Sequence, residues 1–478
     1  MRGIEIALAK DTKVSAVSQK SLDNRAGTLS GSNWGGSGAR GHRNEKVSSG
    51  PNRGRPHSKG SGWRPSNHRP IDHGRKARPS WSIHCKEVLE TPHQVRRASE
   101  DFTGVVANAE DNMLTAEDSL ATVSSSKLSK EAWLYEKAAA DAVICNLCAH
   151  RCYIPPGRVG ICRVRENHAG TLYTGVYDRI VSLNVDPIEK KPLFHFLPGS
   201  RSYSIATAGC NFHCRFCQNW EISQMPRDRD GLVLGQHIEP QAIVRLALQA
   251  RCDTIAYTYT EPTIFFELAY DTAKLAVKQG LKNIFVTNGY MTPEALRMIQ
   301  PYLHAANIDL KGFDDKRYRR VCGAKLQPVL DSIRLTKELG IWAEVTTLVI
   351  PGHNDSAEEL RQIALFLKSV GPEIPWHLSA FFPAYKMLEA VPTERETLLR
   401  AWSIGKEAGL RYVYCGNLAD NVHEDTSCYG CGKTLVRRLG FYVEYDWLDR
   451  GRCPFCRTPI DGVWEKEISS ATMQAKFN

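Results

Sequence analysis

The stretch SYSIATAGCNFHCRFCQNWE, Ser202 to Glu221, joins an apolar strand-like run to three cysteines, Cys210, Cys214 and Cys217. No fourth cysteine lies close by. A structural zinc site fills four positions, and an ordinary iron–sulfur cluster takes four thiolates. The C-x3-C-x2-C loop is one ligand short of either, so its meaning depends on the scaffold that carries it.

That scaffold shows in the rhythm downstream. Apolar, β-rich runs alternate with amphipathic helices: TIAYTYTEP, KNIFVTNGY, AANIDLKGF, WAEVTTLVIPG, WHLSAFFPA and RYVYCGNL. Runs with so little polar alternation suit parallel strands covered on both faces. The helices between them carry start signals. Thr292 stands as N-cap before Pro293, and Ser356 with Glu359 and Thr393 with Glu396 read as capping boxes. Leu360, Ile363, Leu367 and Val370 recur at helical spacing and predict one buried stripe. The fold class is therefore α/β, either a full or partial parallel barrel or a doubly wound sheet. In both, ligands gather at the strand C-terminal ends, where Cys210, Glu261, Asn288 and Asp309 fall together.

On such a barrel, a loop with three cysteines can hold three corners of a 4Fe–4S cube and leave the fourth iron free for a small molecule. If that molecule is S-adenosylmethionine, its amino and carboxylate groups can chelate the open iron while the sulfonium takes one electron. A zinc knob completed by His213 is the competing reading. His213 directly precedes Cys214, which turns it away from a site built by its neighbour.

Composition bounds the remainder. The 478 residues suffice for two or three domains, and no run of eighteen apolar residues predicts a membrane span. The net charge of +10 is uneven: residues 1–80 hold 16 basic against 5 acidic residues, and the rest holds 46 against 47. The folded part is thus nearly neutral, and no nucleic acid is expected on it. Residues 1–128 form a basic Gly/Ser/Arg-rich tail that reads as disordered. Its acid-poor start also resembles an organellar transit peptide, so the compartment is cytoplasmic, or organellar if that reading holds. Eleven of fifteen cysteines fall in three clusters, which fits metal binding better than disulfides. Cys85, Cys252, Cys322 and Cys415 are left as inert single thiols.

Cys428, Cys431, Cys453 and Cys456 form CxxC…CxxC with turn-like knuckles, the pattern of a structural zinc ribbon, with a rubredoxin-like iron site as the alternative. Cys145, Cys148, Cys152 and Cys162 fit zinc or an auxiliary iron–sulfur cluster, with zinc slightly preferred. His150 and His168 beside them read as spectators. The expected domains are a cysteine-cluster module at 129–198, a core barrel at 199–418, the ribbon at 419–466 and a tail at 467–478.

These motifs together resemble the radical S-adenosylmethionine superfamily, in its pyruvate formate-lyase activating enzyme-like branch. CNLCAHRC, GCNFHCRFCQNWEIS, YTYTEPTIFFE, VTNGY, NIDLKGF, VIPGHND and the CYGCGK…CPFC tail are similar, more closely, to the radical enzyme of the AmmeMemoRadiSam system, from about Ala138 to Trp464. The resemblance implies a partial (β/α)6-type barrel with a Cys-rich N-terminal extension and a zinc ribbon. It also implies reductive cleavage of S-adenosylmethionine to a 5′-deoxyadenosyl radical, which abstracts hydrogen from an unidentified, conceivably protein, substrate. An electron donor of ferredoxin or flavodoxin type goes with that chemistry. Position by position, Cys210, Cys214 and Cys217 match the cluster ligands, and Phe216 the residue packing on the adenine side. Glu261 matches an acceptor for the substrate amino group, and Thr287 and Asn288 match a strand-end Thr-Asn pair. Asp309 and Lys311 match residues near the methionyl carboxylate. Val286 replaces the acid that activating enzymes carry before Thr-Asn, and Tyr385 and Lys386 stand where they carry a His. The contrasting function is a metal-bearing nucleic-acid-binding or scaffold protein that works through the ribbon and the basic tail.

Overall fold

The structure, a computed structural model, describes residues 130–418 and 422–464. The tail, its transit-peptide reading, Cys85 and the segment after 466 lie outside them. All seven β-rich runs form strands: β1 (Arg201–Thr207), β2 (Thr254–Tyr257), β3 (Lys282–Thr287), β4 (Ala305–Asp309), β5 (Trp342–Val349), β6 (Trp376–Ala380) and β7 (Val413–Gly416). They pair in parallel, each with the next in sequence. A doubly wound sheet would reverse its order at a switch point, and this sheet does not. Connections that all advance the same way, with the usual handedness, put every helix on one face, and the sheet curls round the other. Its first and last parallel strands are not bonded to each other, so the barrel stays open.

Six helical crossovers cover the outside: α1 (Pro240–Gln249), α2 (Phe266–Lys278), α3 (Pro293–Ile299), α4 with α5 (Asp315–Cys322, Gln327–Glu338), α6 (Ala357–Val370) and α7 (Arg395–Glu407). Leu360, Ile363 and Leu367 of α6 are fully buried, each contributing about 1.5–3 kcal/mol by area. Thr292 caps α3 through the Ala295 N–H, and Ser356 caps α6 through the Glu359 N–H. The Glu359 side chain does not return the bond expected of a capping box. It accepts instead from the Phe313 N–H at 2.7 Å and pairs with Arg317. Thr393 does not cap α7 at all: its hydroxyl bonds the Val349 carbonyl at 2.6 Å and the Phe381 N–H at 2.9 Å, and Glu394 precedes the helix.

The concave face is filled by chain that precedes the barrel. Ile188, Leu193, Phe196 and Leu197 pack on Ala256, Ile284 and Ala305. A buried carboxylate there is well bonded. Glu344 accepts from the backbone N–H of Phe194 and His195 and from His377 Nε2, at 3.0, 2.8 and 2.7 Å. The strand Arg179–Pro187, assigned from sequence to the cysteine module, pairs antiparallel with β1 and belongs to the main sheet. Ahead of it, residues 130–174 build two small three-stranded antiparallel sheets. Behind the barrel, Thr426–Ser427, Thr434–Leu439 and Tyr442–Asp446 form a third. Among the described residues no helix is long and apolar enough to cross a membrane.

Candidate radical centre and metal sites

The three-cysteine loop leaves the C-terminal end of β1 through Gly209, whose φ is +103°. A Cβ there would lie 2.7 Å from Val164 and 3.3 Å from the Cys162 carbonyl, so only glycine lets the loop pass the N-terminal module. The loop closes on itself where the Gly209 N–H meets the Ile222 carbonyl at 3.0 Å. It docks on the end of α4: the His213 and Arg215 N–H groups donate to the Cys322 and Val321 carbonyls, each at 3.0 Å. The His213 ring lies against Gly323, within 2.0–2.5 Å of where a Cβ would be.

Cys214 is buried, and Cys210 and Cys217 are half-buried. The Phe212 N–H donates to Cys210 Sγ at 3.3 Å, and Cys217 Sγ meets the Ser223 hydroxyl at 3.2 Å. Burial, then the Glu261 charge, pushes the Cys210 thiol well up. Burial, then the charge of Cys214, raises Cys217. Cys214 is raised first by a hydrogen bond with Cys322. Cys322, read from sequence as an inert single thiol, is carried by α4 to the side of Cys214. Thiols raised in this way stay protonated until a cation displaces the proton.

The strand ends meet this loop. Glu261 is 1% exposed, and its two oxygens accept four hydrogen bonds: from the Thr263 N–H and hydroxyl at 3.0 and 2.5 Å, from the Thr287 hydroxyl at 2.7 Å and from the Asn288 N–H at 2.8 Å. Burial raises its pKa against these donors. Three of these bonds fall on Oε1 and one on Oε2, and through them the carboxylate fixes Thr287 and Asn288. Asn288 Nδ2 then donates to Asn211 Oδ1 at 2.7 Å and lies 3.9 Å from Cys210 Sγ. Asn211 itself is fully buried, and its Nδ2 has no partner among the described residues. A buried orphan donor beside a thiol fits an anionic inorganic cluster better than an empty loop.

On the other flank, Lys311 Nζ donates to Asp309 Oδ2 at 2.9 Å and lies 5.7 Å from the centre of the buried Phe216 ring. The two expected carboxylate-side residues thus pair with each other, and both lie near enough to Cys214 for their charges to act on it, with Lys311 beside Phe216. Phe216 and Lys311 line a cleft together with Arg317, His353 and Asn354. The segment after β6 covers the loop's outer side. The Lys386 N–H donates to the Arg215 carbonyl at 2.9 Å, Gln218 reaches the Phe382 carbonyl at 2.9 Å, and Tyr385 stacks on Trp220 at 5.3 Å. Sequence marked Tyr385 and Lys386 only as a departure, and their contact with the loop has no local signal.

The remaining clusters differ from each other. The ribbon sulfurs of Cys428, Cys431, Cys453 and Cys456 all lie within 4.8 Å of one another. Cys428–Cys456 and Cys431–Cys453 are 3.5 and 3.7 Å apart, as one tetrahedral ion requires. The Thr458 hydroxyl, 3.1 Å away, is the first cause that draws the Cys456 thiol down to about 6. Cys145, Cys148, Cys152 and Cys162 instead surround a cavity. His168 is an exposed partner of Glu166, but His150 Nε2 lies 2.9 Å from the Asn211 carbonyl and braces the three-cysteine loop. Cys252 and Cys415 are buried single thiols.

Residues 204–367 match the family model described as the radical SAM superfamily. An uncharacterized protein of Methanocaldococcus jannaschii is 43% identical over 337 residues, 70% of this chain and 99% of that one. A pyruvate formate-lyase-activating enzyme of Clostridium pasteurianum is 20% identical over 36% of this chain and 71% of its own. Among solved structures, a domain of pyruvate-formate lyase-activating enzyme from Bacteroides vulgatus is 21% identical, covering 34% of this chain and 98% of that domain, with a TM-score of 0.30.

Proposed function

Because the chain belongs to the radical SAM superfamily, an enzyme group that performs radical chemistry, we propose that Cys210, Cys214 and Cys217 hold a 4Fe–4S cluster at which S-adenosylmethionine is reductively cleaved. When bound, that cluster supplies the single electron that splits the sulfonium into methionine and a 5′-deoxyadenosyl radical. The carrying observation is the continuous contact from Glu261 through Asn288 and Asn211 to Cys210 at the strand C-terminal ends. It makes a loop with three ligands rigid without offering a fourth thiolate from the strand ends.

The chain's own residues supply position and dryness. Glu261 acts through Thr287 and Asn288 as a positioning residue. Lys311, held by Asp309 beside Phe216, is placed to meet a carboxylate while the ring packs on an adenine. Tyr385, Trp220 and the backbone of Lys386 close one side against water, which a reactive carbon radical demands. The finer reading is that of the AmmeMemoRadiSam radical enzyme, with a ferredoxin- or flavodoxin-type donor and a protein as the hydrogen source. Zinc is proposed for the ribbon. The nearly neutral charge of residues 81–478 weighs against the nucleic-acid scaffold reading.

The test is anaerobic reconstitution with iron and sulfide, then dithionite and S-adenosylmethionine, with 5′-deoxyadenosine measured. Wild type should release it and Cys214→Ala should release none. Equal release from both would refute the proposal.

A further inference from the structure

The N-terminal cysteines carry a second assignment. We infer that Cys145, Cys148, Cys152 and Cys162 hold an iron–sulfur cluster of the 4Fe–4S class, where the sequence reading slightly preferred zinc. Zinc bound by four thiolates at ~2.3 Å draws its sulfurs to within ~4 Å of one another. Among the described residues, only the ribbon set brings four such ligand atoms within 4.8 Å. The N-terminal four line one pocket, with Leu147 and Ile154 in its walls. Sulfurs that do not converge on one point suit a cluster whose corners stand apart, where a single ion would have to draw them together.

A second observation gives the sign of the occupant. Arg165 lines the same cavity and is 2% exposed. Its Nη2 donates to Glu267 at 2.5 Å, and its Nε and Nη1 have no partner among the described residues. A buried guanidinium with two idle donors at the wall of a thiol-lined cavity asks for an anion with several acceptors. Inorganic sulfides and thiolates provide them, and such N–H contacts are a recognised means of setting cluster potential.

The position is also one that a remote structural ion would not need. Thr263 lines the cavity and donates to Glu261. The Arg227 guanidinium, bonded to the Ile161 carbonyl at 2.9 Å, lies close enough to feel both Cys162 and Cys210. The second site thus abuts the three-cysteine loop, yet its ligands are separate from it, so the inference does not rest on the radical reading.

The test uses the full chain reconstituted anaerobically, with iron, sulfide and zinc counted and the iron examined by Mössbauer and electron paramagnetic resonance spectroscopy. Wild type should hold ~8 iron and ~1 zinc per chain, and the triple variant Cys210→Ala/Cys214→Ala/Cys217→Ala should keep ~4 iron with a cubane spectrum. Adding Cys148→Ser and Cys162→Ser to the triple variant should remove that iron. Wild type with ~4 iron and ~2 zinc would overturn the inference, even if every variant misfolded. Iron that survives all five substitutions would overturn it as well. Loss of 5′-deoxyadenosine with the second cluster intact would instead strike only the radical reading.

Discussion

The ribbon and the N-terminal module each carry four cysteines, and they use them in opposite ways. In the ribbon, two knuckles fold tightly: the Cys428 N–H bonds the Lys433 carbonyl and the Cys453 N–H bonds the Thr458 carbonyl, both at 2.9 Å. The sulfurs converge, and the ribbon has little else, since its small core of Leu435 and Ile460 is shared with Phe194, Tyr412 and Tyr414 of the barrel side. In the N-terminal module the cysteines hang from a strand end, a loop and a turn, and the loop is pinned to the barrel by pairing between Cys148 and Met291. Those sulfurs stand around a space. Ligand type and number are therefore equal in the two sites, and the backbone that presents them decides what fits.

The largest effect should separate the two sites directly. Cys453→Ser, or a zinc chelator, should remove a contribution of about 10–16 kcal/mol to ribbon folding. Hydrogen exchange should then rise across residues 422–464 while iron content stays constant. Iron lost in parallel with zinc would erase the distinction.

A pH effect should appear where the ribbon meets the barrel. His195 is fully buried between the Asp461 carbonyl, 2.6 Å from Nδ1, and the Tyr414 hydroxyl, 2.6 Å from Nε2. The carbonyl can only accept, so Nδ1 carries the proton and Nε2 accepts from Tyr414. Burial lowers the His195 pKa to about 4. The unfolded chain, with an ordinary value, binds the proton first. Stability is therefore full above the ordinary His pKa and falls as pH drops toward the lowered one, by roughly 3 kcal/mol. Urea unfolding across that interval should show this slope, and His195→Gln should flatten it. An unchanged slope would place the sensitivity elsewhere.

Smaller effects sharpen the contrast from the loop side. Gly323→Ala would strain a φ of +76° and displace the His213 ring. It should cost about 1–3 kcal/mol and slow 5′-deoxyadenosine release about tenfold. A wild-type rate would mean that the docking of the loop on α4 does not matter. Smallest of all, His168→Ala should leave thermal stability within about 0.5 kcal/mol and iron content unaltered. A lost cluster would make that residue a ligand.

Much of the architecture was readable because it is written in local period. Seven apolar runs became seven strands, and the Thr292 and Ser356 caps formed. The misses share a cause: each depends on a partner far away in the chain. Thr393 leaves its helix to bond Val349 and Phe381, and Arg179–Pro187 joins β1 by long-range pairing. The three-cysteine loop and its strand-end neighbours were legible as a group. Their individual duties were not, because the bonding of Glu261 and the approach of Cys322 to Cys214 arise only when separate crossovers are brought side by side.

One side chain ties the tail end of the molecule to its floor. Arg438, on the ribbon strand Thr434–Leu439, is buried, donates to the Phe194 and Glu424 carbonyls at 2.8 and 3.0 Å, and pairs with Glu189 at 3.6 Å. The ribbon is consequently not an interchangeable appendage that recombination could swap for another. Any replacement would have to arrive with a guanidinium at the same spot, or leave the buried Glu189 carboxylate with the Gly199 N–H, at 2.9 Å, and no counter-ion in Arg438's place.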